Sequence, residues 1–320
     1  MKIFITGVAG FIGFHTARRL LEDGHKVMGI DNLNDYYDVN LKKERLSLLK
    51  KLGLEFEKGD ICHQGPFLSA TLFKPDIFLH LAAQAGVRYA SINPKAYVDS
   101  NLNGFFNVLE WIRFYPHIPL IYASSSSVYG NQTEAPFEES AKADEPESFY
   151  AATKRANELM AYSYHQSFGI KSCGLRFFTV YGPYGRPDMA YYSFTQDFLA
   201  GRPLKVYHEG KALRDFTYID DIVEGIVSVI NRAPLQGIYN LGSSDPYSTL
   251  ELIGCIEDYF GKKALIEFVQ GPKGDVDKTY ACLTHSFNDL EFKPKTSLKE
   301  GMRSFLDWYS SYHKLQVQLN

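Results

Sequence analysis

The chain has 320 residues, 45% hydrophobic and 22% charged, with a net charge of −3. That is ordinary globular composition, long enough for one large or two closely joined domains. The slight negative balance excludes a broad attraction to nucleic acid or anionic lipid, and no apolar run approaches the roughly 18 residues of a membrane span.

Residues 2–6 are a short apolar run, read as a buried strand. Gly7, Gly10 and Gly13 follow, then a helical pattern ending near Asp23 and Gly24, then a second strand over 26–30 closed by Asp31. Glycines let a backbone turn tightly and approach a pyrophosphate, and a helix N-terminus offers it free N–H groups. Asp31, 18 residues past Gly13, is placed to hold the adenosine ribose. A carboxylate there repels a 2′-phosphate, and Asn32 and Leu33 supply no arginine, so NAD is expected rather than NADP.

The alternation continues. Residues 41–52 read as a basic amphipathic helix, 54–57 as a strand leading to Asp60 and Ile61, and 76–80 as a strand running into Leu81, Ala82 and Ala83. A long helix is expected over 94–114, a strand over 119–123 delivering Ser124, Ser125, Ser126 and Ser127, a helix over 149–168, and a strand over 171–178. Strands alternating with helices imply a doubly wound parallel α/β sheet, with ligands beyond the strand carboxyl ends. After Phe178 frequent Gly and Pro suggest a smaller, loop-rich C-terminal domain over the cleft. The expected division is 1–179, rejoined by about 215–245, for the cofactor, and 180–214 with 246–320 for the substrate.

Tyr150 and Lys154 are four apart on the 149–168 helix and point the same way. An ammonium beside a phenol favours the phenolate, making Tyr150 an acid/base candidate, with a serine hydroxyl to share the proton. Tyr259 and Lys263 repeat the spacing without a hydroxyl cluster and read as chance. Cys62, Cys173, Cys255 and Cys282 are widely spaced and the histidines scattered, so no metal is expected and a reducing, cytoplasmic setting is. The first strand begins at Lys2, which leaves no room for a signal peptide.

The glycine motif from Gly7 to Gly13, the Ser-Ser-x-x-Val-Tyr-Gly block from Ser124 to Gly130, and Tyr150 with Lys154 resemble the extended short-chain dehydrogenase/reductase (Rossmann, SDR) family acting on nucleotide sugars. More narrowly, the stretches 31–38, 82–89, 182–189 and 215–221 resemble UDP-glucuronate 4-epimerases. The resemblance implies that Tyr150 takes the sugar 4-hydroxyl proton, Lys154 lowers its pKa and holds the nicotinamide ribose, and Ser125 assists. Bound NAD accepts hydride from C4 and returns it to the opposite face after the 4-keto sugar turns over. It further implies Gly7, Gly10, Phe11, Ile12 and Gly13 at the pyrophosphate, Asp31 and Asn32 at the ribose and Asp60 and Ile61 at the adenine. Leu81, Ala82, Ala83, Asn101, Ser124 and Phe177 would line the rest of the cofactor site.

Related dehydratases and decarboxylases carry carboxylates after the catalytic hydroxyl, whereas Ser126 and Ser127 stand here. Small hydroxyls suit a substrate carboxylate, and Thr179 and Arg186 would complete its pocket, the alternative for Arg186 being a solvated loop charge. Arg88, Val206, Tyr207, Arg214 and Asp275 are implied on the uridine-diphosphate side, the alternative for Arg214 being a domain-bridging ion pair. The chain departs from the family pattern at Pro272, with Lys273 beside it, and at Cys282, where an aspartate is usual. A homodimer through the 94–114 and 149–168 helices is implied as well. The neighbouring readings are a 4-epimerase of UDP-glucose or UDP-N-acetylglucosamine and, more distantly, a non-catalytic NAD-binding sensor.

Overall fold

The computed structural model describes residues 1–131, 134–233, 235–271 and 278–315. The strands β1 (Lys2–Thr6), β2 (Lys26–Asp31), β3 (Glu55–Lys58), β4 (Ile77–His80), β5 (Leu120–Ser125) and β6 (Ser172–Phe177) come first. After β7 (Thr179–Tyr181), β8 (Leu204–Tyr207) and β9 (Leu213–Tyr218), β10 (Gly237–Leu241) returns beside β6. These build one parallel sheet of seven strands in the order β10-β6-β5-β4-β1-β2-β3. The chain starts at β1, runs outward through β2 and β3, then crosses to β4 on the other side of β1. Connections therefore diverge between β1 and β4, which leaves a crevice at their carboxyl ends.

Strands buried on both faces read as continuous apolar runs. Ile3, Phe4, Ile5 and Thr6 are all buried, and the pleat divides them between two cores. Ile3 and Ile5 pack with α1 (Phe11–Glu22), α2 (Val39–Lys51) and α8 (Ile219–Arg232); Phe4 packs with α3 (Gly65–Phe73), α5 (Gly104–Phe114) and α6 (Phe149–Phe168). A Ser148 side chain accepting the Ala151 N–H starts α6, and Gly169 at φ 70° ends it.

The expected helix over 94–114 is present and continuous, but not uniform. It consists of α4 (Pro94–Tyr97), a π-helical turn over Val98–Asn103, and α5. The wide turn accompanies a buried Asn101 that bonds outside the helix and a Gly104 whose missing Cβ makes room for Ile61. Such turns gather at functional sites.

The smaller unit centres on β9, paired with β7, β11 (Pro246–Ser248) and β13 (Lys278–Thr279); β8 pairs with β12 (Ile266–Val269). The helices α7 (Ala190–Leu199), α9 (Thr249–Phe260) and α11 (Leu298–Tyr312) surround an aromatic core of Tyr181, Tyr191, Phe216 and Phe305. Ser248 with Glu251 and Ser297 with Glu300 form capping boxes for α9 and α11. The Gly and Pro residues after Phe178 fall mostly between these short regular elements. The α10 helix (Thr284–Leu290) carries Leu290, with Phe292 beyond it, back into the core under the main sheet. Among the described residues, no helix is long and apolar enough to cross a membrane.

Candidate functional site

A cavity of about 350 Å³ lies at the carboxyl ends of β1, β2, β4 and β5 and extends to β7. One end is the glycine turn. Gly7 sits at φ 74°, and a Cβ there would lie 2.7 Å from the Ala82 nitrogen. A Cβ on Gly13 would collide with the Gly7 carbonyl oxygen. The second requirement is internal packing of α1 against its own turn, not room for a ligand. The α1 helix starts at Phe11 without a side-chain cap, so the N–H groups of Phe11, Ile12 and Gly13 lack intrahelical partners, and all three residues line the cavity.

Asp31 accepts N–H bonds from Ala9 at 3.0 Å and Leu33 at 2.9 Å. Burial pushes its carboxyl up, against the pull of the Leu33 N–H and the Lys42 ammonium. Asp60 is also subject to burial, but the Asn32 amide (2.8 Å) and the Cys62 N–H (2.9 Å) outweigh it and hold the carboxyl below its ordinary value. Ile61, Leu81, Ala82 and Ala83 line the same wall. A tight turn with uncapped N–H groups, followed by a carboxylate at the second strand end, fits a dinucleotide. The sequence missed Lys42 here. It comes from α2, lines the cavity, and donates to the Asn34 carbonyl and side-chain oxygens at 2.7 Å each.

At the other end, β5 delivers Ser125 and α6 delivers Tyr150 and Lys154, all lining the cavity. The Ser125 hydroxyl lies 2.9 Å from that of Ser127 and pulls the Tyr150 phenol downwards in pKa. The expected lowering of the Tyr150 pKa by Lys154 is not what the structure holds. Burial pushes the phenol up, and the opposing pulls come from the Ser125 hydroxyl and the Arg186 charge. Lys154 donates instead to the Ala123 carbonyl at 3.0 Å, and its own burial lowers its pKa to about 8.

Ser124 lines the cavity, but its hydroxyl is committed to Glu158 at 2.6 Å, inside a buried pair of Glu158 with Arg176 at 2.8 Å. Asn101, expected at the cofactor, does not line the cavity. It accepts the Gln84 N–H at 2.8 Å and donates to the Gln84 carbonyl and the Thr153 hydroxyl at 3.0 Å each, bracing α6 against the loop after β4. Phe177 lines the wall between the two ends.

Thr179, Arg186, Ser126 and Ser127 reach the same cavity. Arg186 is not a solvated loop charge. Its guanidinium forks onto Asp188, with Nε donating at 3.0 Å, and Tyr36 donates its hydroxyl to Asp188 at 3.1 Å. Burial favours neutral Arg186, but Asp188 outweighs it and raises the pKa. Tyr36, Gln84, Gly86, Ser100 and Met189, for which sequence reasoning found no role, also line the cavity. Gly86 carried a signal: at φ 102°, a Cβ there would meet the Tyr36 hydroxyl at 2.5 Å.

The expected uridine-diphosphate residues lie elsewhere. Val206 is fully buried with Leu204 and Ile253, so its side chain is core. Arg88 is exposed and stacks over Tyr207 at 4.9 Å. Arg214 donates to the Leu213 carbonyl at 3.1 Å. None of the four lines the cavity. Asp275, with Pro272 and Lys273, lies outside the described residues. Tyr259 and Lys263 do not meet: they bond to Asp307 at 2.7 Å and Glu257 at 2.6 Å.

The sequence profile of the NAD dependent epimerase/dehydratase family matches residues 3–242. Protein CapI of Staphylococcus aureus is 43% identical over 98% of this chain and 100% of its own length. UDP-glucuronate 4-epimerase 6 of Arabidopsis thaliana is also 43% identical, over 100% of this chain and 74% of its own. The crystal structure of UDP-glucuronic acid 4-epimerase from Bacillus cereus, in complex with UDP-glucuronic acid and NAD, superimposes with a TM-score of 0.90 at 33% identity, over 98% of this chain and 100% of that one. The chain belongs to the NAD dependent epimerase/dehydratase family.

Proposed function

We propose that this member of the family interconverts UDP-glucuronate and UDP-galacturonate by NAD-dependent epimerisation at C4. The observation that carries the reading is one cavity that holds Ser125, Tyr150 and Lys154 together with Thr179 and Arg186, and has serines at 126 and 127 where a reacting carboxylate would otherwise stand. The relatives that act on UDP-glucuronate support it across nearly the whole chain.

NAD, when bound, supplies the hydride acceptor and donor for C4. Tyr150 takes the proton from the 4-hydroxyl and gives it back on the other face, with Ser125 sharing the hydrogen bond. Lys154, a buried positive charge in the same cavity, would hold the cofactor ribose and favour the forming phenolate. Arg186 offers a planar fork to the C5 carboxylate, with Thr179 and the serines as further donors; held this way, the carboxylate stays out of line for loss as CO2. We assign the uridine diphosphate to the side of Arg88, Tyr207 and Arg214, with Val206 as backbone and core, and propose Asp275 as a further contact.

A homodimer is part of the reading, since the outward faces of α5 and α6 leave Phe106, Phe114, Leu159 and Tyr162 exposed. The widely separated free cysteines support a cytoplasmic setting. The test is product analysis after incubating the NAD-loaded protein with UDP-glucuronate, UDP-glucose and UDP-N-acetylglucosamine. The expected product is UDP-galacturonate. Equal or greater kcat/KM on UDP-glucose refutes the carboxylate reading, and no turnover of any of them favours the sensor.

A further inference from the structure

We infer that Arg45 is a positioning residue for sugar recognition, fastening the loop that carries Arg186 to the glycine turn. The inference rests on the reading of Arg186 as the residue that binds the substrate carboxylate. Arg45 lies on α2 and is fully buried. One guanidinium nitrogen donates to the Ala9 carbonyl and the Tyr37 hydroxyl, both at 2.8 Å. The other donates to the Tyr184 carbonyl at 2.5 Å and the Gly185 carbonyl at 3.3 Å. The fork thus ties together the glycine turn, the loop after Asp31, and the two residues before Arg186.

A second clamp acts one residue earlier. His15, buried on α1, is bonded through Nε2 to the Pro183 carbonyl at 2.8 Å. Burial lowers its pKa to about 3, so it is a neutral donor. Three consecutive carbonyls, at 183, 184 and 185, are therefore held by two helices of the cofactor domain.

The loop needs holding. Tyr184 sits at φ 56°, a region that residues other than glycine rarely adopt, two residues after Gly182 at φ 144°. A Cβ on Gly185 would run into the Tyr191 hydroxyl. Released from the clamps, such a backbone relaxes, and Arg186 loses its place in the cavity. The bonds that Arg45 makes go to carbonyls and a phenol rather than to a carboxylate. A buried cation whose hydrogen bonds go to no carboxylate is costly to keep, and its bonding pattern accounts for it as a joint between three segments.

The test is a double-mutant cycle on binding, with NAD-loaded protein in a Tyr150→Phe background to stop turnover. Titration calorimetry compares UDP-glucuronate with UDP-glucose for the parent, Arg45→Lys, Arg186→Ala and the double variant. Lysine keeps the charge but cannot span both Ala9 and Tyr184. The expected result is that Arg45→Lys weakens UDP-glucuronate about tenfold or more and UDP-glucose less than about threefold, and that it adds little once Arg186 is gone. If Arg45→Lys does not fold, His15→Phe, which removes only the Pro183 clamp, is put through the same cycle with the same expectation. Equal weakening of both ligands, or full additivity with Arg186→Ala, overturns the inference and leaves the carboxylate reading standing. An Arg186→Ala variant that binds UDP-glucuronate as tightly as its parent overturns both.

Discussion

Removing Lys154 should stabilise the protein while it destroys activity. Burial lowers the ammonium from its ordinary 10.5 to about 8, roughly 3 kcal/mol against the fold at any pH where the lysine is charged in both states. The sign follows from proton uptake. Between about pH 8 and 10.5 the unfolded chain binds the extra proton, so this group's penalty is full below 8, shrinks as pH rises, and is gone above 10.5. Lys154→Met keeps the length and removes the charge. It also gives up the 3.0 Å bond to the Ala123 carbonyl, worth about 1 kcal/mol. The expected net gain is about 2 kcal/mol in cofactor-free protein at pH 7, a rise of a few degrees in Tm, fading towards zero by about pH 10. Thermal unfolding of the two proteins across pH 7–10 measures it, and turnover should fall by roughly a hundredfold or more. A variant less stable than its parent at pH 7, or a difference that does not change with pH, refutes the argument that Lys154 is held charged against a burial penalty.

Tyr150→Phe should abolish turnover while NAD remains bound, read by product formation and by cofactor content; retained turnover would remove Tyr150 from the chemistry. Because burial pushes the Tyr150 phenol up, activity should rise with pH through the neutral range, and a profile that falls there would contradict the phenolate as base. Arg186→Ala removes a fork that makes two bonds to Asp188, worth roughly 3 kcal/mol if transferred to a substrate carboxylate; kcat/KM should drop by about a hundredfold on UDP-glucuronate and far less on UDP-glucose. Tyr162→Glu, on the exposed face of α6, should shift the protein towards monomer by light scattering, and an unchanged mass would move the interface elsewhere.

The sheet was legible because its signals are local. Continuous apolar runs such as residues 2–6 mark strands buried on both faces, and the regular alternation with helices leaves one topology class. The helix over 94–114 was legible too, and the π-helical turn inside it has a tertiary reason. The Asn101 side chain, on that wide turn, bonds Gln84 and Thr153, and nothing in 3.6-residue periodicity announces that. The glycine motif was readable as a motif, but its parts act differently: Gly7 permits the close approach of Ala82, whereas Gly13 permits α1 to start against Gly7. Spacing alone cannot separate those two roles.

The electrostatics of the site ran against the simple pairing argument. Four residues on a helix brought Tyr150 and Lys154 into one cavity, yet burial acts on each separately, raising the phenol and lowering the ammonium. An ammonium at about 8 is still mostly charged at neutral pH, whereas the raised phenol rests protonated, so it is the phenolate that the chemistry has to gain. The groups that oppose this on Tyr150 are Ser125 and Arg186. On the proposed reading Arg186 therefore has two links to the reaction, one through the substrate carboxylate and one through the field at the phenol. Arg45, which holds its loop, looked in sequence like one more basic residue on the solvated face of a helix. Burial and three segments meeting at one guanidinium are properties of the folded chain, and they make a residue with no readable motif the point where the cofactor turn and the sugar pocket are joined.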